Sequence, residues 1–395
     1  MAAAFMLAYL LAAGLVLLSG GRVPGAGWLA LHLVLLGAVT NAIMVWSDQF
    51  AAALPHARPS GETAAVGRLV ALNLAVVAVL AGGQLGRAAL TAAGAWLLAA
   101  VVLAHALTLL ARLRRGMAAR FGQAVWFYLA ANGALLAGIG LGLLLSGGAA
   151  GSADAYRAMR LAHAHLNVLG WIGLTVLGTL STLWPTVLRT RMVAGVPAAA
   201  RRSFPLAAGG LLVATAGLLA QQQTAAAVGL AAYAAGLGVA LGPFVATMRQ
   251  RRPGGAAAWM LAAGTAWFAV VVVADLVALL GSDRVVDLDS RVAGLVPAVA
   301  MGFGLQVLAG ALTYLLPTVW GRGAHGNRRL TAMLEAGWPA RVAAWNLGVL
   351  LLTIRPGHGW TVAGRWLAGV GVGSFVLLAV AALTQRLVRD PGSDG

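Results

Sequence analysis

The hydrophobic positions of this chain fall into long apolar stretches separated by short polar breaks. Stretches able to cross about 30 Å of hydrocarbon lie near 4–20, 27–49, 65–83, 88–111, 124–146 and 160–184. Six more lie near 204–222, 224–246, 255–281, 291–316, 338–354 and 361–385. The pattern predicts an all-α, polytopic membrane protein of about twelve transmembrane helices. The stretch Met1–Gly20 lacks a basic leader and a cleavage site, so it is expected to be the first span.

Small residues and prolines repeat along the pattern. Gly170, Gly178 and Pro185-Thr186-Val187 in span 6 recur as Gly302, Gly310 and Pro317-Thr318-Val319 in span 10. His32-Leu-x-x-Leu-Gly37 in span 2 recurs as His165-Leu-x-x-Leu-Gly170. One transmembrane domain over 1–395 is therefore expected to hold three pseudo-repeats of four spans, about 1–122, 123–253 and 254–395. Glycines eight apart lie on nearly one helix face and let a neighbouring helix or flat ligand approach.

Composition identifies the solvent. The chain is 61% hydrophobic and 9% charged, with mean hydropathy +0.88, more apolar surface than a water-soluble domain can hide. Its net charge of +17 comes from arginines, with no lysine. They cluster in the loops after even-numbered spans: Arg112, Arg114, Arg115 and Arg120; Arg189, Arg191, Arg201 and Arg202; Arg249, Arg251 and Arg252; Arg322, Arg328 and Arg329. Asp283, Asp287 and Asp289 lie on the other side. This asymmetry places both termini in the cytoplasm of a multi-pass cell-membrane protein, and it explains the charge without nucleic acid. The absence of cysteine excludes disulfides, iron–sulfur clusters and thiolate metal sites.

The candidate chemistry is histidine placed in hydrocarbon. His32 lies five residues inside span 2, about 8 Å deep, and His165 lies at the same depth in the equivalent span 6. Ionisable groups in a span point to function, and neutral imidazole is the commonest metal ligand. His32 and His165 are the expected pair facing a shared space. His163, two residues from His165, points roughly 200° away from it. Asp275, at similar depth in span 9, is a candidate to orient a ligand histidine through its ring N–H. Arg157 and Arg160, one turn above the histidines, suit anionic groups such as haem propionates, or phospholipid. His105 is expected to pack near the other membrane face, and His56, His325 and His358 lie in loops without a role.

The segment Leu161-Ala-His163-Ala-His165-Leu-Asn167-Val-Leu-Gly170-Trp171-Ile-Gly173, with Gly178 to Pro185-Thr186, resembles the haem–copper oxidase subunit I superfamily. It is similar to its NnrS-like branch and to the membrane portion of actinobacterial multicopper oxidase fusions. Pro185-Thr-Val-Leu-Arg189-Thr-Arg191-Met192 and Gly310-Ala-Leu-Thr-Tyr314-Leu-Leu-Pro317 carry the same likeness. The resemblance implies twelve helices, threefold pseudosymmetry, bound haem or copper, a quinol donor and an outer-face copper protein as acceptor. In that superfamily, spans 2 and 10 ligate haem and spans 6 and 7 hold copper. Here span 2 has His32, span 10 has Pro297 and Met301 instead, and span 7 has no histidine, so oxygen reduction does not carry over. The expectation is a haem- or copper-binding membrane protein for electron transfer or for copper or nitrogen-oxide handling, not an enzyme as an isolated chain. Its competitor is a cofactor-free transporter or degenerate structural relative, with Asn41, Asn167 and Asn346 lining a path.

Overall fold

The computed structural model describes residues 1–52, 62–115, 122–321 and 323–389. His56, Arg120 and Arg322 lie outside them. Every regular element among the described residues is helical. The first third of the chain holds α1 (Ala2–Leu18), α2 (Ala26–His32), π1 (Leu33–Val39), α3 (Thr40–Ala52), α4 (Glu62–Gln84) and α5 (Ala88–Arg115). The middle holds α6 (Gly122–Ser146), α7 (Ala153–His165), π2 (Leu166–Leu174), α8 (Thr175–Val187), α9 (Val196–Leu219) and α10 (Gln223–Gln250). The last third holds α11 (Ala256–Leu280), α12 (Val285–Gly294), π3 (Ala298–Leu305), α13 (Gln306–Trp320), α14 (Gly323–Leu334), α15 (Trp338–Ile354) and α16 (His358–Arg389). Among the described residues ten helical rods are long and apolar enough to cross a membrane, and α1 and α15 are shorter apolar helices. Large apolar side chains such as Leu74, Val77, Leu103, Leu212, Val273 and Leu377 stand exposed on the outside, where a bilayer would cover them.

Each of the three rods α2–π1–α3, α7–π2–α8 and π3–α13 carries one π-helical segment at the equivalent place. A π turn widens the hydrogen-bond ring and leaves a backbone carbonyl short of its usual partner. In hydrocarbon that carbonyl must be satisfied by protein, and neighbouring side chains do so in all three rods. The Thr40 hydroxyl donates to the Leu35 carbonyl at 3.0 Å. Tyr233 of α10 donates to the Leu169 carbonyl at 2.7 Å, and Trp345 of α15 donates to the Met301 carbonyl at 3.0 Å.

The repeats also pack alike. A Cβ at Gly178 would stand 3.1 Å from the Ala124 carbonyl, and one at Gly310 would stand 3.0 Å from the Ala257 carbonyl. The α6/α8 and α11/α13 contacts therefore share one register. The hairpins α4–α5, α9–α10 and α15–α16 close through Gly82 and Gly94, Gly210 and Gly229, and Gly348 and Gly371, where a side chain would strike the facing helix. Such close approach is how helices gain dispersion contact in lipid, where no hydrophobic effect drives them together.

The span expected over 291–316 differs in detail. It is interrupted at Leu295, and the residues before the interruption form the amphipathic α12. Pro297 follows in the first turn after the interruption, where its missing N–H is tolerated, and three aspartates at 283, 287 and 289 keep the preceding segment polar.

Candidate metal centre

The α2–π1–α3 and α7–π2–α8 rods touch through a hydrogen bond, with the Trp171 indole donating to the Thr40 hydroxyl at 3.0 Å. This contact joins residues 131 apart, whereas His32 and His165 are 133 apart. Counting back the same distance along both rods from the Thr40–Trp171 bond reaches His32 on one and His163 on the other. Repeat equivalence and contact register are thus different relations, and the second brings His32 toward His163.

The symmetry shows what lies opposite. His165 reaches across to Asp275 on α11, with Nε2 2.8 Å from the carboxylate Oδ2. One repeat length before Asp275 on α6 stands Gly142, the position that the repeat assigns opposite His32. The ring of His163 fills that recess: a Cβ at Gly142 would stand 3.2 Å from its Cε1.

Hydrogen bonds assign the tautomers. His32 Nδ1 lies 2.8 Å from the Trp28 carbonyl, and His163 Nδ1 lies 2.9 Å from the Gly138 carbonyl on α6. A carbonyl only accepts, so each Nδ1 carries the proton. The neutral ring then presents an Nε2 lone pair, and a backbone carbonyl on the other nitrogen is the support that metal-bound histidines use. His32 is also held by its neighbour Trp28, ring centroids 4.5 Å apart.

His165 is arranged differently. Its Nδ1 lies 2.8 Å from the Leu161 carbonyl and its Nε2 faces Asp275, so neither nitrogen is free for a metal. The expected His32–His165 pair is not what this geometry favours. Asp275 does meet a histidine ring nitrogen, and its other oxygen, Oδ1, is buried without a partner.

The two arginines above the histidines are committed to carboxylates. Arg157 pairs with Asp154 at 3.0 Å. Arg160 makes a two-pronged pair with Asp289 of α12, the Nε contact being 3.1 Å. Sequence reasoning left Asp289 in an acidic loop; its i+2 spacing after Asp287 gives no hint that it turns inward to α7. His105 is buried near the opposite end, Nε2 2.9 Å from the Ser47 hydroxyl, beside an ion cluster of Asp48, Arg68 and Arg112 that sequence reasoning also missed. Asn41 forms a reciprocal amide pair with Asn73, while Asn167 and Asn346 bond helix carbonyls. Among the described residues no three histidine or carboxylate groups cluster as a metal cage. No family model and no curated protein matches this chain.

Proposed function

We propose that this protein is an integral membrane metal-binding protein of the haem–copper oxidase type, in which His32 and His163 are the ligands and His165 is a positioning residue. The observation that carries this reading is the pair of imidazoles whose Nδ1–H groups are both spent on backbone carbonyls. Two neutral nitrogen donors suit monovalent copper, which accepts two ligands, or the two axial positions of a haem iron. They do not suit structural zinc, which takes four. The His163 ring already fills the recess at Gly142, which leaves no room for a porphyrin there and favours a bare copper ion. When bound, such a group would supply one-electron chemistry or a soft-metal transfer point. The chain's own part is to fix ring orientation and exclude water. Twelve spans, cytoplasmic termini, a quinol donor and an outer copper protein complete the proposal.

The test is metal analysis and absorbance of the purified full-length protein. Bound copper, or a Soret band, that is lost in His32→Ala and His163→Ala but retained in His165→Ala supports the reading. Loss with His165→Ala and retention with His163→Ala would restore the symmetry-matched pair.

The second reading is a cofactor-free solute path. It draws on polar atoms buried without partners around α11 and α13: the Thr265 hydroxyl, Asp275 Oδ1 and both ends of the Gln306 amide. A colourless protein that holds no copper after loading supports it.

A further inference from the structure

Three helix ends gather arginines far from the histidines. The rod α7–π2–α8 carries His163 near its start, and Arg189 and Arg191 follow its finish. Arg201 and Arg202 lie in the first turns of α9, and Arg249, Arg251 and Arg252 lie at the end of α10. All seven are exposed. Elsewhere the chain supplies carboxylates to its arginines: Arg157 pairs with Asp154, Arg160 with Asp289 and Arg284 with Asp287, while Asp48 receives Arg68 and Arg112. Residues 155–274 contain no Asp or Glu. Among the described residues none of the seven arginines pairs with a carboxylate. Like charges gathered on one face repel, so the counter-charge comes from outside the chain.

Two features make these arginines one surface with a particular profile. Arg251 reaches from the end of α10 to the end of α8, where its Nη1 donates to the Arg189 carbonyl at 3.4 Å. A single bond of that kind leaves most of the guanidinium fork for a ligand. The second feature is an apolar step beneath the charge. On α9 the exposed Leu206 lies one turn inside Arg202, and on α10 the exposed Val245 lies one turn inside Arg249. Residues four apart share a helix face. Each helix of this hairpin therefore shows a basic group at its end and an apolar side chain just below.

From this profile we infer that the arginine-rich end of α8, α9 and α10 binds an anionic phospholipid, its phosphate held by Arg202, Arg249 and Arg251 and its chains laid along Leu206 and Val245. Guanidinium forks match phosphate oxygens in pairs, and arginine clusters at the ends of membrane helices attract anionic headgroups. A soluble acidic partner would need the charges alone; the apolar step one turn below them is what a lipid uses. The inference is independent of the histidine site, which lies toward the other end of the α7–π2–α8 rod.

The probe is phosphatidylglycerol, titrated into the full-length protein in nonionic detergent, with phosphatidylcholine as the zwitterionic control. Retained lipid is counted by native mass spectrometry. The expected result is preferential retention of phosphatidylglycerol. Arg251→Gln weakens it about fivefold, the worth of one arginine at an anionic surface, and Arg202→Gln with Arg251→Gln weakens it about twenty-five-fold. Arg202→Gln alone serves should the Arg251 variant not fold. Arg114→Gln is the control for charge in general: Arg114 is exposed at the end of α5, outside the cluster, and its loss leaves the affinity unchanged. Excess inorganic phosphate or an acidic peptide does not displace the lipid. Equal retention of the two lipids, or an Arg114→Gln effect as large as that of Arg251→Gln, overturns the inference. So does displacement by phosphate, which would reveal a plain anion site, or by the peptide, which would reveal a protein-docking face.

Discussion

Removing one member of the His165–Asp275 pair is expected to damage the fold more than removing both. The ring Nε2 and carboxylate Oδ2 are 2.8 Å apart, and the two side chains are 5% and 7% exposed, so water cannot replace either partner. A carbonyl-bound Nδ1 and a carboxylate-facing Nε2 mean that a proton lies between the two groups. His165→Ala leaves Asp275 with neither oxygen paired, since Oδ1 has no partner already. Asp275→Ala strands only Nε2, because the Leu161 bond survives. Breaking a buried pair from one side costs about 3–5 kcal/mol. His165→Ala should fall at the upper end of that range and Asp275→Ala at the lower. Replacing both with apolar groups of similar volume, His165→Phe with Asp275→Leu, is about neutral or stabilising on the same grounds. The assay is SDS-induced unfolding in mixed micelles, read by tryptophan fluorescence. An interaction energy of about 3 kcal/mol or more is expected across the cycle of His165→Phe, Asp275→Leu and their combination. A double variant no more stable than its worse single variant would refute the argument, because the pair would then not be the reason either residue is tolerated in the membrane.

Two further outcomes follow from contacts elsewhere. Thr40→Val, nearly isosteric, strands both the Leu35 carbonyl of its own rod and the Trp171 N–H of the neighbouring one; the interhelical bond alone is worth about 0.6 kcal/mol in membrane proteins, so the same unfolding assay should show a loss of about 0.6 kcal/mol or more. Gly348→Ala drives a Cβ into the Ala368 backbone, whereas Gly369→Ala meets open space on the same hairpin; the first should cost about 1–3 kcal/mol and the second nothing, or gain up to about 1 kcal/mol from lower chain entropy.

The apolar stretches foretold most of the helical rods because hydropathy is a direct measure of what lipid demands. The likeness of spans 2, 6 and 10 was legible too, since glycine and proline at fixed spacing mark close packing. What sequence could not reveal is which neighbour each histidine faces. Repeat equivalence sets a residue's height and its direction relative to its own repeat: His165 faces α11, and the repeat assigns His32 the corresponding direction toward α6. The difference then lies in the partners, Asp275 in one case and Gly142 in the other. A missing side chain leaves no mark in a list of candidate ligands. His163 therefore looked like the outlier, although it is the residue that fills the gap.

The π segments bear on this division of labour. If they existed to present histidines, the rod that has Pro297 in the histidine position would have no reason to keep one, yet π3 is present there. Each π segment follows the histidine level and reaches the apolar cavity of about 80 Å³ where the three rods meet, with Val39, Ile172 and Gly304 in its wall, and one extra residue in a helical turn rotates everything beyond it by about 100°. The rotation lets one rod carry His32 at one end and turn Val39, Ala42 and Trp46 into the cavity at the other. Without it the same faces would point to different neighbours. The carbonyls that the π turns disturb are satisfied by Thr40, Tyr233 and Trp345, three side chains unlike in type and in origin. Different solutions to one geometric need indicate that the need is common to the three rods, whereas His32 and His163 stand on only two of them.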